Sequence, residues 1–163
     1  YALDVGSNQL AWKIRNDERV TVMEKTNFRY SKPEDFGKGL PEFATIDVSF
    51  ISLSLILPVL KTILIPGGDV IALVKPQFEA GRENVGKKGI VKDPKVHLEV
   101  LEDTASMATK NGFIVKDASF SPITGGEGNI EFLFHLVNPI DNTIEPFTQF
   151  KEVVQAAHDE LKK

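Results

Sequence analysis

The sequence predicts an α/β fold whose sheet is mostly parallel and closes near the C-terminus in an antiparallel hairpin. Two apolar runs, residues 42–46 and 69–74, end abruptly in single charged residues, Asp47 and Lys75. Strands of an open parallel sheet end in this way at the rim where ligands bind. An apolar segment of helix length, residues 53–64, separates the two runs. The third observation is the linker 122–129, too short for a helix, so the strands on either side of it are expected to pair antiparallel.

The elements follow in order. Tyr1-Ala2-Leu3-Asp4-Val5-Gly6 reads as the end of a buried strand rather than a beginning, so the sheet is expected to lack its first strand. Ser7 is placed to cap a short helix over residues 7–15, with Leu10, Trp12 or Ala11, and Ile14 buried. Residues 20–23 form a second strand, followed by Asn27 and Phe28. Phe43–Ile46 is a strand, 53–64 a helix stopped by Pro66-Gly67-Gly68, and Asp69–Val74 another buried strand. Residues 79–92 are polar and aperiodic, hence a long loop of the functional or mobile kind. Asp93-Pro94 opens a helix as N-cap and first residue, and Asn111-Gly112 ends it. Strands at 113–120 and 130–137 make the hairpin, and residues 146–163 put Phe147, Phe150, Val153, Val154, Ala157 and Leu161 on one helical face. Residues 1–137 are thus expected to form one domain, incomplete at its N-terminus, with 138–163 a linker and helix packed on it.

Composition bounds the function. The 163 residues suit one domain, and 42% hydrophobic with 26% charged residues is ordinary globular composition. With no cysteine, disulfides and thiolate metal sites are excluded, and a cytoplasmic address is expected. The apolar stretch 50–66 falls short of a spanning helix, interrupted by Pro58, Lys61 and hydroxyl residues, so no stable membrane insertion is expected. The net charge of −4 is unevenly spread: between Lys75 and His97 six basic residues face three acidic ones.

Chemistry is sought at the strand ends. Asp4 stands where an acid can accept both hydroxyls of a ribose, or simply caps the next turn. Asn27 suits an adenine edge or an ordinary turn, and Phe28 a purine face or the core. Asp47 and Lys75 are isolated charges ending apolar strands, which is costly unless they are paired or open to a cleft, so they are harder to dismiss as functional residues; a structural salt bridge is the alternative. Glu131 interrupts an apolar strand on the face of Leu133 and His135 and could complete a cluster with them. Gly125-Gly126-Glu127-Gly128-Asn129 lacks a following helix and a Lys-Ser/Thr pair, so it is expected to be a flexible connection rather than a phosphate cradle. His97 and His135 have no partners at metal-ligand spacing, and no metal site is expected.

With these residues in hand, the chain resembles the TlyA family, historically called haemolysins, and the FtsJ-type ribose methyltransferases. The matching segments are Ala2 to Lys13, Phe43 to Leu53, Val74 to Arg82, Gly89 to Pro94, Ser121-Pro122 and Gly126 to Phe132. The resemblance implies a Rossmann-like methyltransferase sheet, S-adenosylmethionine as methyl donor, and 2′-O-methylation of a cytidine ribose in ribosomal RNA. It assigns catalysis to Asp47, Lys75 and Glu131, the last three of a Lys-Asp-Lys-Glu tetrad. The first Lys, the glycine-rich cofactor loop and an S4-like RNA-binding domain of the family have no counterpart here. Cofactor contacts are expected from Asp4, Val5, Asn27, Phe28 and Asp47. Arg82, Lys87, Lys88 and Lys92 are expected on an RNA backbone. Ribosomal RNA or a ribosomal subunit is the expected partner, not DNA. A non-catalytic nucleotide- or RNA-binding module and a haemolysin are the alternatives.

Overall fold

A computed structural model describes residues 1–161. Strands β1 (Ala2–Leu3) and β2 (Val22–Met23) pair in parallel. Strands β3 (Phe43–Ile46), β4 (Asp69–Val74), β5 (Ile114–Phe120) and β6 (Phe132–Val137) form a second sheet in the order β3-β4-β6-β5. β3 and β4 are parallel, and β6 runs antiparallel to both β4 and β5. Three strands of this sheet therefore share one direction, and β6 alone opposes them. The hairpin forms as expected, but its second strand slots between β4 and β5.

The core is built from alternate residues of the central strands. Val70, Ala72 and Val74 of β4 and Phe132, Phe134 and Leu136 of β6 are almost wholly buried, the arrangement that period-2 alternation dictates. Helix α4 (Pro94–Lys110) begins on Asp93, whose carboxylate accepts from the Lys95 N–H, with Pro94 in its first turn. It buries Val100, Leu101 and Ala108. Helix α5 (Phe150–Leu161) packs on α4 and β5 through Phe150, Val154 and Ala157. It starts four residues later than the pattern predicts, and the last two residues of the predicted span lie outside the described residues.

Three local expectations are corrected. Helix α1 is a single turn, Trp12–Arg15, with Ala11 rather than Ser7 before it, and Trp12 is 77% exposed and Ile14 48%. The cause is a tight turn: the Asp4 carboxylate accepts from the Gly6 N–H and Asn8 takes a positive φ of 56°, which spends residues 4–9 on a reversal. The segment 53–64 divides into a 3₁₀ turn, Leu53–Leu55, and helix α2 (Leu57–Ile63), with Pro58 in the first turn of α2. Pro58 has no N–H to extend the hydrogen-bond ladder across that joint. Finally, the one-turn helix α3 (Pro76–Glu79) directly follows Lys75, where the sequence shows no periodicity.

Among the described residues, the outer edges of β1 and β3 bear no strand. Between them lies a cavity of about 300 Å³, lined by Tyr1, Leu3 and Phe28 and by the whole of β3 as far as Asp47 and Val48. Phe43 is consequently 55% exposed.

Candidate active site

The site is assembled by strand register. Val74 pairs with Phe132 at the end of the β4–β6 ladder, so the next residues, Lys75 and Glu131, are cross-strand neighbours on one face. Ile46 pairs with Ala72 in the parallel ladder, which brings Asp47 to the same rim. Lys75 donates from Nζ to Asp47 Oδ1 at 2.6 Å and to Ser49 Oγ at 3.2 Å. Lys75 and Glu131 are each 9% exposed, whereas the Asp47 side chain is 69% exposed. A buried ammonium is thus answered by an exposed carboxylate that faces the cavity.

Glu131 does not bond to Lys75. Its Oε2 accepts from Gln77 Nε2 at 2.8 Å, and Gln77 Oε1 is buried with no hydrogen-bond partner. A buried orphan acceptor typically costs about 1–3 kcal/mol. Sequence reading passed over Gln77, Ser49 and two further residues of this rim. Glu79 reaches back to accept from Ser52 Oγ at 2.7 Å and from the Leu53 N–H at 2.8 Å, and burial pushes its carboxyl above the usual range against the pull of those bonds. It thereby ties the segment after β4 to the segment after β3. Phe50 sits between Asp47 and this tie at φ +62°, is 89% exposed, and meets Phe78 at 4.9 Å between ring centroids. A left-handed phenylalanine costs about 1–2 kcal/mol, and an exposed aromatic gains nothing from burial. Such strain concentrates at functional sites.

The residues expected at a cofactor split into two groups. Phe28 and Asp47 line the cavity. Asp4, Val5 and Asn27 are exposed beside it. The Thr26 N–H donates to Asp4 O, which puts Asn27 on the same rim as Asp4. Asn27 Oδ1 is engaged by the Arg29 N–H. Arg82, Lys87, Lys88 and Lys92 are exposed on the loop after α3. The glycine segment 125–129 is not loose: Asn129 is buried and bonded to Val91, Gly89 and Gly126. His97 and His158, distant in sequence, meet at 2.8 Å. No group of three metal-ligating side chains occurs among the described residues, and no helix there is long and apolar enough to cross a membrane.

Comparison with known proteins bears on this rim directly, because the FtsJ-like methyltransferase model matches residues 1–138 and so spans every strand. The chain belongs to the FtsJ-like methyltransferase family. A Bacillus subtilis protein, YqxC, named as a candidate rRNA methyltransferase, is 64% identical over all of this chain and 59% of its own length. The 16S/23S rRNA (cytidine-2′-O)-methyltransferase TlyA of Mycobacterium tuberculosis is 40% identical over 88% of the chain and 53% of its own length. A solved structure from Streptococcus thermophilus, described as a candidate haemolysin, superposes with a TM-score of 0.95 at 58% identity, over 99% of this chain and 58% of that one. The FtsJ-like chain therefore spans between half and three-fifths of the length of these three relatives.

Proposed function

We propose that this chain carries the catalytic rim of an S-adenosylmethionine-dependent methyltransferase that modifies a ribose 2′-hydroxyl, of cytidine, in ribosomal RNA. The observation that carries this reading is the Lys75–Asp47 pair, 2.6 Å apart at the ends of β4 and β3, with Glu131 one residue before the Phe132 that pairs with Val74. The rRNA and cytidine parts of the reading rest on what the relatives are named for.

The bound donor supplies a methyl group activated on a sulfonium. The residues present suit its nucleoside end: an acid at the end of β1, an aromatic wall at Phe28, and the Asn27 amide with its Nδ2 left to donate. Asp4, Val5, Asn27, Phe28 and Asp47 would hold it. Lys75 steers the incoming hydroxyl and offsets the negative charge that develops on its oxygen as its proton passes to solvent water. Asp47 and Ser49 fix the ammonium, and Gln77 fixes Glu131. Phe50, exposed next to Asp47, offers a ring on which an unstacked base can lie. Arg82, Lys87, Lys88 and Lys92 contact backbone phosphates. A protein acting on ribosomes works in the cytoplasm.

The test uses the intact protein, ribosomal RNA and labelled methyl donor. Ribose methylation leaves the modified linkage resistant to alkali, because the 2′ oxygen can no longer attack the phosphate, so product mapping separates it from base methylation. Lys75→Ala is expected to abolish transfer. Lys75→Arg, which keeps a cation, is expected to retain measurable transfer, and its complete inactivity would favour a neutral-amine base instead. Label on a base, or none at all, would overturn the assignment.

A further inference from the structure

Two loops beside the site share one backbone design. In residues 86–90 the Gly86 N–H donates to Ile90 O at 2.8 Å and the Gly89 N–H to Gly86 O at 3.2 Å, with Lys88 and Gly89 at φ +66° and +72°. In residues 125–129 the Gly125 N–H donates to Asn129 O at 2.7 Å and the Gly128 N–H to Gly125 O at 3.1 Å, with Glu127 and Gly128 at φ +57° and +84°. Each turn places a residue with a side chain in the left-handed region at its tip. That persists only where the surroundings over-determine it.

Asn129 is the group that over-determines both. It is 3% exposed, its Oδ1 accepts from the Val91 N–H at 3.0 Å, and its Nδ2 donates to Gly89 O at 2.9 Å and to Gly126 O at 3.0 Å. One donor and two acceptors admit a single orientation of the amide. The clip is set in the core, since Val91 and Ile130 are each 2% exposed. Gly125, in the second turn, lies against the Glu131 carboxylate with no room for a Cβ. The loop bearing Lys87 and Lys88 is therefore fastened through one side chain to the segment that backs Glu131.

We propose that Asn129 is a positioning residue that makes the basic loop and Glu131 one rigid unit, so that an RNA backbone held by Lys87 and Lys88 sets the carboxylate in its working place. This rests on the methyltransferase reading above. Substituting the two lysines removes the RNA contact and leaves the loops joined; breaking the clip separates the loops while the lysines remain.

The experiment compares the intact protein with Asn129→Asp, which keeps the acceptor for Val91 and loses both donated bonds, and with Asn129→Ser, which is uncharged. Amide exchange is followed over residues 82–92 and 125–131, with β4 and β6 as the folding control. Methyl transfer to ribosomal RNA is measured alongside. Both loops are expected to exchange faster together while the strands stay protected, kcat to fall roughly ten- to a hundredfold, and KM for RNA to rise. K87E/K88E is expected to raise KM and to lower kcat as well, since the contact that sets Glu131 is lost, while both loops keep their protection from exchange. Loops that stay protected in both variants, loss of protection throughout the fold, or a fall in kcat at unchanged KM would each overturn the proposal. Wild-type protein without transferase activity would overturn the functional reading, and loop exchange would still decide whether Asn129 joins the two loops.

Discussion

Glu79 shows how one carboxylate can join two strand ends. It holds Ser52 and Leu53 through both oxygens, and burial raises its pKa above 4.5. A raised folded-state value means the folded protein binds the proton more tightly than the unfolded chain does. The stability this contributes is full below 4.5 and is lost as pH rises through the raised value. Glu79→Gln removes that loss while its amide can still accept from Leu53 and donate to Ser52. Denaturant titrations from pH 4 to pH 7 are expected to show the variant gaining on wild type as pH climbs, and Glu79→Ala losing about 2 kcal/mol for two broken bonds. A constant gap between Gln and wild type would refute the buried-acid account. Asp47, Lys75 and Glu131 were legible in the sequence because a charge that ends or interrupts an apolar strand has few cheap explanations. Gln77 and Glu79 were not, since their roles depend on a one-turn helix that leaves no periodic trace.

At the scale of elements, the segment between β3 and α2 carries the strain. Phe50 reads in sequence as one more apolar residue in the run leading to Leu53, hence as core; only its φ of +62° turns it outward. Its place just past the strand end, three residues from Asp47, was the one available signal. Phe50→Gly relieves the left-handed backbone and removes an exposed ring, so the intact protein is expected to be equally stable or to gain up to about 1 kcal/mol. Phe50→Ala keeps the strain. Both are expected to weaken RNA binding by about 1–3 kcal/mol if a base stacks there. Filter binding with unmodified ribosomal RNA checks it: unchanged affinity in both variants would leave the ring without a ligand. The same contrast explains the other local differences. Long elements such as α4 and the β4–β6 pair announce themselves by caps and alternation, while α1 and the 3₁₀ turn before α2 are set by single residues, Asn8 and Pro58, whose local geometry outweighs the hydrophobic pattern.

At the scale of the whole molecule, two sheets stand side by side with an open seam. Among the described residues β1 and β3 each leave one edge unpaired, Phe43 lies exposed along the seam, and the cavity there runs the length of β3. The alternation of strands and helices was readable from sequence; the place of β6 between β4 and β5 was not, because β4–β6 pairing joins residues about 60 positions apart and leaves no local mark. A strand laid in the seam would pair with β1 and β3 at once and join the sheets. The consequence reaches the cofactor. Ligand sites bury most of their ligand, and here Phe28 follows β2 and Asp47 follows β3, strands of separate sheets with no ladder between them among the described residues. Titration calorimetry with S-adenosylmethionine is therefore expected to show binding to the intact protein at least tenfold tighter than to the 163-residue chain. The backbone amides of Phe43–Ile46 that face the seam are expected to exchange fast in the chain and slowly in the intact protein. Equal affinity in the two forms would mean that the cavity rim alone holds the donor, and the seam would then need another occupant.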